Sequence, residues 1–291
     1  MLWLVFVLLA AIFAPLQDLV SKRALEKIGD EYIITWSSRF FALPFFIPLL
    51  FDQISKEVPT WNAFFIGAIA IVLFLQIISN IFYFRAIKSS DLSITVPLIS
   101  FTPLFVLVTS PFLLKEFPGW WDILGIGFVV GGSYILKLKN QEESYLAPLR
   151  SLFLENAPRL MLAVAFIWSL ISTLNKLGIE KSSPIFWAAL TSTILATAMT
   201  PVMLYQSRDN LKFIPENIFY LFIIGILQGL TMLCFMKAVK LTLVAQAVSV
   251  KRTSILFSAL LGHLFLQEPG MQQRMTGAVV MLVGVVIITL F

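Results

Sequence analysis

Lys251 and Arg252 stand side by side in a stretch where lipid-buried apolar residues are expected, and Arg39 stands alone in another. An Arg or Lys at the centre of a membrane helix costs about 2.5–3.5 kcal/mol by insertion measurements. Such residues persist where they face a wet cavity or an anion. The pair lies about ten residues into an apolar run of roughly 26, some 15 Å from its start at about 1.5 Å per residue. That is too deep for easy snorkelling. Arg39 lies about eight residues into its own run, between Ser37-Ser38 and Phe40-Phe41. Arg grips a carboxylate or phosphate through two parallel hydrogen bonds, and Lys acts as a point charge. Three intramembrane cations therefore predict a pocket for a small, negatively charged molecule. The competing structural readings are buried cations bonded to backbone carbonyls and, for Arg39, an interfacial helix anchor.

Uncharged polar residues would select among substrates. Gln76 and Asn80 are four apart and share one helix face, as Gln228 and Thr231 nearly do, and Gln246 precedes the Lys-Arg pair. Bonding between helices is the alternative role for these amides. Asp18 is the one acidic residue that lies within an apolar run away from an obvious turn, near the end of that run, and His263 is the one histidine. Both are candidates for proton coupling, with packing the competing role for His263. Glu116 and Glu268 precede Pro118 and Pro269 at helix ends and are read as structural.

No residues are assigned to catalysis. Neither clustered carboxylates nor a Ser/His pair marks a membrane-embedded enzyme, and a non-transporting partner subunit should lack intramembrane charges. One His and one Cys, Cys234, cannot make a zinc site, and a lone Cys excludes a disulfide within the chain. Gly125-x-Gly127 follows no strand and is no dinucleotide fingerprint. No metal, no cofactor and no nucleic acid is expected; the partners are a small-molecule substrate and the lipid bilayer.

The elements that must position these residues follow from composition. Of 291 residues 59% are hydrophobic and 13% charged, and the mean hydropathy is +0.91. Water-soluble domains carry about 25% charged residues, so this chain is built for lipid. The net charge of +5 is spread over many short connections and is no nucleic-acid footprint. A bilayer crossing takes about 20 mostly apolar residues. Ten such runs can be read, roughly at 2–20, 31–51, 61–84, 92–114, 120–138, 159–177, 184–205, 216–238, 241–266 and 273–291. They are too long and continuous for barrel strands. The first lacks a preceding basic region and is read as a span rather than a signal peptide.

The pattern is written twice. Gln76, Ala86, Lys88, Phe105, Glu116, Gly125 and Gly132 recur, each 152 residues later, as Gln228, Ala238, Lys240, Phe257, Glu268, Gly277 and Gly284. Lys251-Arg252 replaces Ile99-Ser100 of the first copy. Lys22, Glu26, Lys27 and Trp36 match Lys176, Glu180, Lys181 and Trp187 at slightly different offsets. Five is odd, so the second copy enters the membrane from the opposite side. The expected fold is an all-α integral membrane protein of ten transmembrane helices, arranged as two inverted five-helix repeats. Residues 1–140 form the first repeat, 141–158 a connecting segment, and 159–291 the second. Gly127 and Gly131, and the pairs Gly125/Gly132 and Gly277/Gly284, predict close helix packing. Pro97, Pro103 and Pro111 predict a bent fourth span. Basic residues are more numerous after odd-numbered runs, which favours both termini outside.

Ten spans, a five-plus-five duplication, and a Glu before each half's last helix resemble the EamA family of the drug/metabolite transporter superfamily. The matching stretches are Glu116-Phe117-Pro118 with Gly125, Glu268-Pro269 with Gly277, and Ser38-Arg39-Phe40. The resemblance covers nearly the whole chain. It implies a secondary active transporter, not an enzyme, in the cytoplasmic (inner) membrane of a prokaryote, with both termini in the cytoplasm. Val250-Lys251-Arg252-Thr253 is also similar to the ninth helix of plastid sugar-phosphate/phosphate translocators, where such a pair grips phosphate. Those translocators add a Lys in the fourth helix, which this chain lacks. The resulting expectation is alternating-access transport of an anionic metabolite through a central cationic site. The alternative is a proton-coupled exporter of cationic or neutral compounds.

Overall fold

The computed structural model describes residues 2–54, 63–89, 96–137, 155–257, 260 and 271–290, and every regular element among them is helical. Helix α1 (Leu2–Ile28) has 27 residues, about 40 Å at 1.5 Å per residue, which exceeds a hydrocarbon core of about 30 Å. It therefore continues past the expected apolar run into a charged overhang, Lys22 to Lys27. Gly29 ends it with φ +70°, donating its N–H to Leu25 O at 2.8 Å. Asp30 then caps α2 (Glu31–Phe40), accepting from the N–H groups of Tyr32 and Ile33 at 2.9 and 3.2 Å. At the corresponding turn of the second half, Ser183 caps α8 (Pro184–Gln206) and Pro184 opens it.

Several spans are interrupted. α2 stops at Phe40, and α3 (Leu43–Ile54) begins after two turn residues. Pro44 is the local cause, because it removes the N–H that would bond Phe40 O. α4 (Ala63–Ser89) is followed by a 3-10 turn, Val96–Phe101, that leads into α5 (Thr102–Leu114). The bend expected from Pro97 and Pro103 takes that form. α6 (Trp120–Lys137), α7 (Asn156–Glu180) and α9 (Ile218–Leu241) are continuous. α10 (Val244–Lys251) gives way to a tight turn at residues 252–253 before helix resumes, and α11 (Met271–Leu290) follows.

Five stretches are long and apolar enough to cross a bilayer: Leu2–Ile28, Glu31–Leu49, Asn156–Glu180, Pro184–Gln206 and Ile218–Leu241. Shorter apolar helices cover Phe65–Ser79, Leu98–Leu114, Trp120–Ile135 and Thr276–Leu290. The run expected at 241–266 is described only in part.

Packing pairs the halves. α1 lies along α9 and α4 along α7, so exchanging the halves maps one contact onto the other; α6 pairs with α11. The last contact is made through glycine. A Cβ on Gly132 would meet Met281 N at 2.5 Å and Gly277 O at 2.6 Å, and one on Gly284 would meet Gly125 O at 2.5 Å. Among the described residues nothing stands within 4 Å of the Cβ positions of Gly127 and Gly131, so no close contact through that pair is made there. The seven-residue spacing, not the four-residue one, faces the neighbouring helix. Large apolar side chains such as Phe112, Phe219 and Trp120 stand outward and exposed, as a lipid-facing surface requires.

Candidate functional site

The backbone breaks carry the cations. Arg39 lies in the last turn of α2, where the hydroxyls of Ser37 and Ser38 donate to Ile34 O and Thr35 O, each at 2.8 Å. Such bonds compete with the helix ladder and loosen it. Lys251 closes α10, and Arg252 begins the turn. There Arg252 N donates to Ser249 O and Thr253 N to Val250 O, both at 3.0 Å. Leu256 N donates to Thr253 O at 2.9 Å. These three-residue steps are 3-10 geometry, which often marks a functional hinge inside a helix.

Two chambers open beside these breaks. One, of about 280 Å³, is lined by Gln17, Ser21, Ile34, Thr35, Ser38, Arg39, Gln76, Leu195, Met199 and Gln228. The other, of about 250 Å³, is lined by Gln76, Thr102, Trp168, Ile171, Ser172, Phe235, Val248, Lys251, Arg252 and Ser254. Gln76 borders both. The first is rich in amides and hydroxyls around a single guanidinium. The second sets the Lys-Arg pair against two aromatic rings.

None of the three cations has a carboxylate within salt-bridge distance among the described residues. Lys251 Nζ sits 4.2 Å from the centre of the Phe235 ring, a cation–π contact worth roughly 0.5–2 kcal/mol. Arg39 Nη1 points at the thioether sulfur of Met232, 3.7 Å away, a weak acceptor. Arg252 Nε is buried and bonds no group among the described residues. Lys251 lies within electrostatic range of Arg39, Arg252 and Asp18. Asp18, on α1, is the nearby negative charge, and its residue is exposed.

The structure thus brings Lys251, Arg252, Arg39, Gln76 and Gln228 to the two chambers. It does not bring Gln246. Its Nε2 donates to Asp122 Oδ1 at 2.6 Å and its carbonyl accepts from Thr242 Oγ1, so the amide is committed to a different cluster. The side chain of Asn80 and the whole of His263 and Glu268 lie outside the described residues. The chambers add residues not foreseen. Gln17 and Ser21 are four apart on α1, a spacing that puts them on one face. Thr102 and Ser254 are duplicates, 152 residues apart, and both line the Lys-Arg chamber.

Gln246 belongs to a cluster that ties the α5–α6 turn to α7 and to the α9–α10 turn. Glu116, after the end of α5, forms an ion pair with Lys176 of α7 and accepts from Val244 N at 3.0 Å. Lys176 also donates to Thr242 O at 2.6 Å. Its side chain is 8% exposed, yet every contact is answered, in contrast to the chamber cations. A second cluster joins the α1–α2 turn to the end of α8. Asp30 accepts from Ser207 Oγ at 2.8 Å and Asn210 Nδ2 at 2.9 Å, besides its capping bonds. Burial works to raise the Asp30 carboxyl, but these hydrogen bonds prevail and hold it below the ordinary carboxylate value. Among the described residues no group of three His, Cys, Asp or Glu side chains is placed to hold a metal ion.

The sequence model of the EamA-like transporter family matches residues 1–138 and 158–290 of the chain. No curated protein matches it. Among solved structures 29 chains match. One, described only as "Crystal structure of protein", has a TM-score of 0.72 at 14% identity and covers 99% of this chain and 94% of that one. At that identity the likeness is one of fold alone.

Proposed function

The chain belongs to the EamA-like transporter family, which makes it an integral membrane transporter, and from that premise we propose that it carries a small anionic metabolite by alternating access. The observation that carries the reading is the state of Lys251, Arg252 and Arg39. Each lies at a helix break, each lines a chamber, and none is ion-paired among the described residues. Uncompensated cations away from bulk water are costly, and a bound anion offsets that cost. Lys251 and Arg252 hold the anionic group, Arg39 assists, and Gln76 and Gln228 select among substrates by hydrogen bonding.

The exchange-related helix contacts and the two family matches support ten spans in two inverted repeats. The substrate path then runs between the halves, and the breaks in the spans lie where broken helices bind ligand in many carriers. The path lies in a cytoplasmic membrane, where an ion gradient or exchange supplies the driving energy. Asp18 is suited to follow that gradient, because it is a carboxylate within electrostatic range of Lys251. Export of cations fits less well, since Asp18 is the one acidic residue among the described helices that lies away from a helix end.

Uptake into liposomes by the wild-type protein and by Lys251→Ala and Arg252→Ala variants tests the proposal. The expected outcome is loss of transport in both variants with folding retained. Undiminished uptake of the native substrate would remove the pair from the mechanism.

A further inference from the structure

We propose that the substrate carries an anionic group at each of two ends, one held by Lys251 and Arg252 and the other by Arg39. This rests on the anion reading above and goes beyond it by assigning a class: a short metabolite such as a dicarboxylate or a phosphorylated carboxylic acid.

The geometry points to two ends rather than one. The Lys-Arg pair and Arg39 do not converge on a common pocket; they line separate chambers whose shared wall is Gln76. A ligand that answers both the Lys-Arg pair and Arg39 extends past Gln76, which borders both chambers. The amide of Gln76 is neutral and can donate and accept, which suits the uncharged middle of such a ligand.

Charge leads to the same class. Lys251, Arg252 and Arg39 are opposed by Asp18, leaving an excess that a single carboxylate does not neutralise. Arg39 has the clearer need. Among the described residues its guanidinium has the Met232 sulfur as its hydrogen-bond partner, and the hydroxyls of Ser37 and Ser38 beside it are turned onto backbone carbonyls. A monoanion bound at Lys251 and Arg252 would leave that guanidinium unanswered in the first chamber. An anion at each end satisfies both sites, and the bidentate geometry of Arg suits a terminal carboxylate.

The test is equilibrium binding to the detergent-purified full chain with matched probes. Succinate is compared with butyrate, and 3-phosphoglycerate with glycerol 3-phosphate. Each pair has the same chain length and differs by one anionic end. The member of each pair with an anionic group at both ends is expected to bind at least about tenfold more tightly than its partner, which is ~1.4 kcal/mol. Arg39→Gln should remove that preference, weakening succinate and 3-phosphoglycerate more than butyrate and glycerol 3-phosphate. Arg39→Lys should restore part of it. Lys251→Gln should weaken both members of each pair. Equal binding of the paired probes, or a preference that survives Arg39→Gln, would overturn the two-ended assignment and leave the anion reading standing. Failure of every anionic probe to bind would sink the anion reading itself. Melting curves of the unliganded variants separate loss of binding from loss of fold.

Discussion

Residues 96–102 and 248–254 are the same segment written twice, and they have diverged in one respect. Both are irregular. The first is a 3-10 turn entering α5; the second is a tight turn leaving α10. In both, a Thr hydroxyl closes a local loop: Thr102 onto Ile99 O at 2.7 Å, and Thr253 onto Val250 O at 2.8 Å. Both even hold a buried polar atom without a partner among the described residues, Ser100 Oγ in one and Arg252 Nε in the other. The side chains, however, go to different places. Leu98 and Ile99 are buried in a cluster with Ala86, Ala157, Met161 and Val164. Lys251 and Arg252 face a chamber. The duplication retained a break in the backbone and changed what the break presents.

Making the second copy resemble the first should have the largest effect. Lys251→Ile combined with Arg252→Ser is expected to lower transport by about 100-fold or more, in line with loss of a desolvated charge contact worth roughly 2–5 kcal/mol. The melting temperature should stay level or rise, because replacing buried charge by apolar volume is often stabilising by about 1–4 kcal/mol. A variant that melts far below wild type would mean that the cations hold the fold.

The reverse exchange damages the fold instead. Ile99→Lys with Ser100→Arg places two charges in the packed cluster beside Met161, and a loss of about 3–5 kcal/mol is expected. Thermal unfolding of purified protein in detergent would reveal it.

Lys176 sharpens the contrast between a paired and an unpaired cation. Lys176→Gln strands Glu116 and should destabilise by about 3–5 kcal/mol. Where the variant is folded, its relative affinity for anionic and neutral ligands should match wild type. A change in that preference would bring Lys176 into the site.

Packing between the halves gives a smaller effect. Gly284→Ala forces a Cβ against Gly125 O and Val129 N, at 2.5 and 2.7 Å. Overpacking of this kind costs about 1–3 kcal/mol, read as a lower melting temperature. Gly127→Ala meets open space and should be near neutral.

The smallest effect separates the two capped turns. Asp30 caps α2 and Ser183 caps α8. The lowered Asp30 value means that its contribution is present above the unfolded carboxyl value, about 3.9. It is lost as pH falls through the still lower folded value. Asp30→Asn should therefore cost about 1 kcal/mol near neutral pH and flatten the acid limb of the stability curve. Ser183→Ala should cost a similar amount with no pH dependence.

Much of this was legible before any coordinates. Apolar runs marked the helices, because a hydrocarbon solvent leaves few other ways to satisfy a backbone. The constant offset marked Gly125 and Gly132 against Gly277 and Gly284, and those four make the α6–α11 contact. The cations were conspicuous because charge in lipid is expensive. Contacts between distant segments were not legible. Gln246 precedes the Lys-Arg pair yet turns to Asp122, since spacing along one helix does not reveal which neighbour it meets. In the sequence Lys176 is simply the counterpart of Lys22, because nothing near it announces Glu116, 60 positions away. The break after Arg39 had one local sign, Pro44, and the break at Arg252 had none.

A thermal-shift comparison of wild-type protein with the Lys251→Ile/Arg252→Ser double variant, against phosphorylated, carboxylated and cationic metabolites, puts the cationic chamber most directly at risk. Anions alone are expected to raise the melting temperature of the wild type, and to raise that of the double variant not at all. Stabilisation of the wild type by cations, or equal stabilisation of both proteins by the same anions, would contradict it.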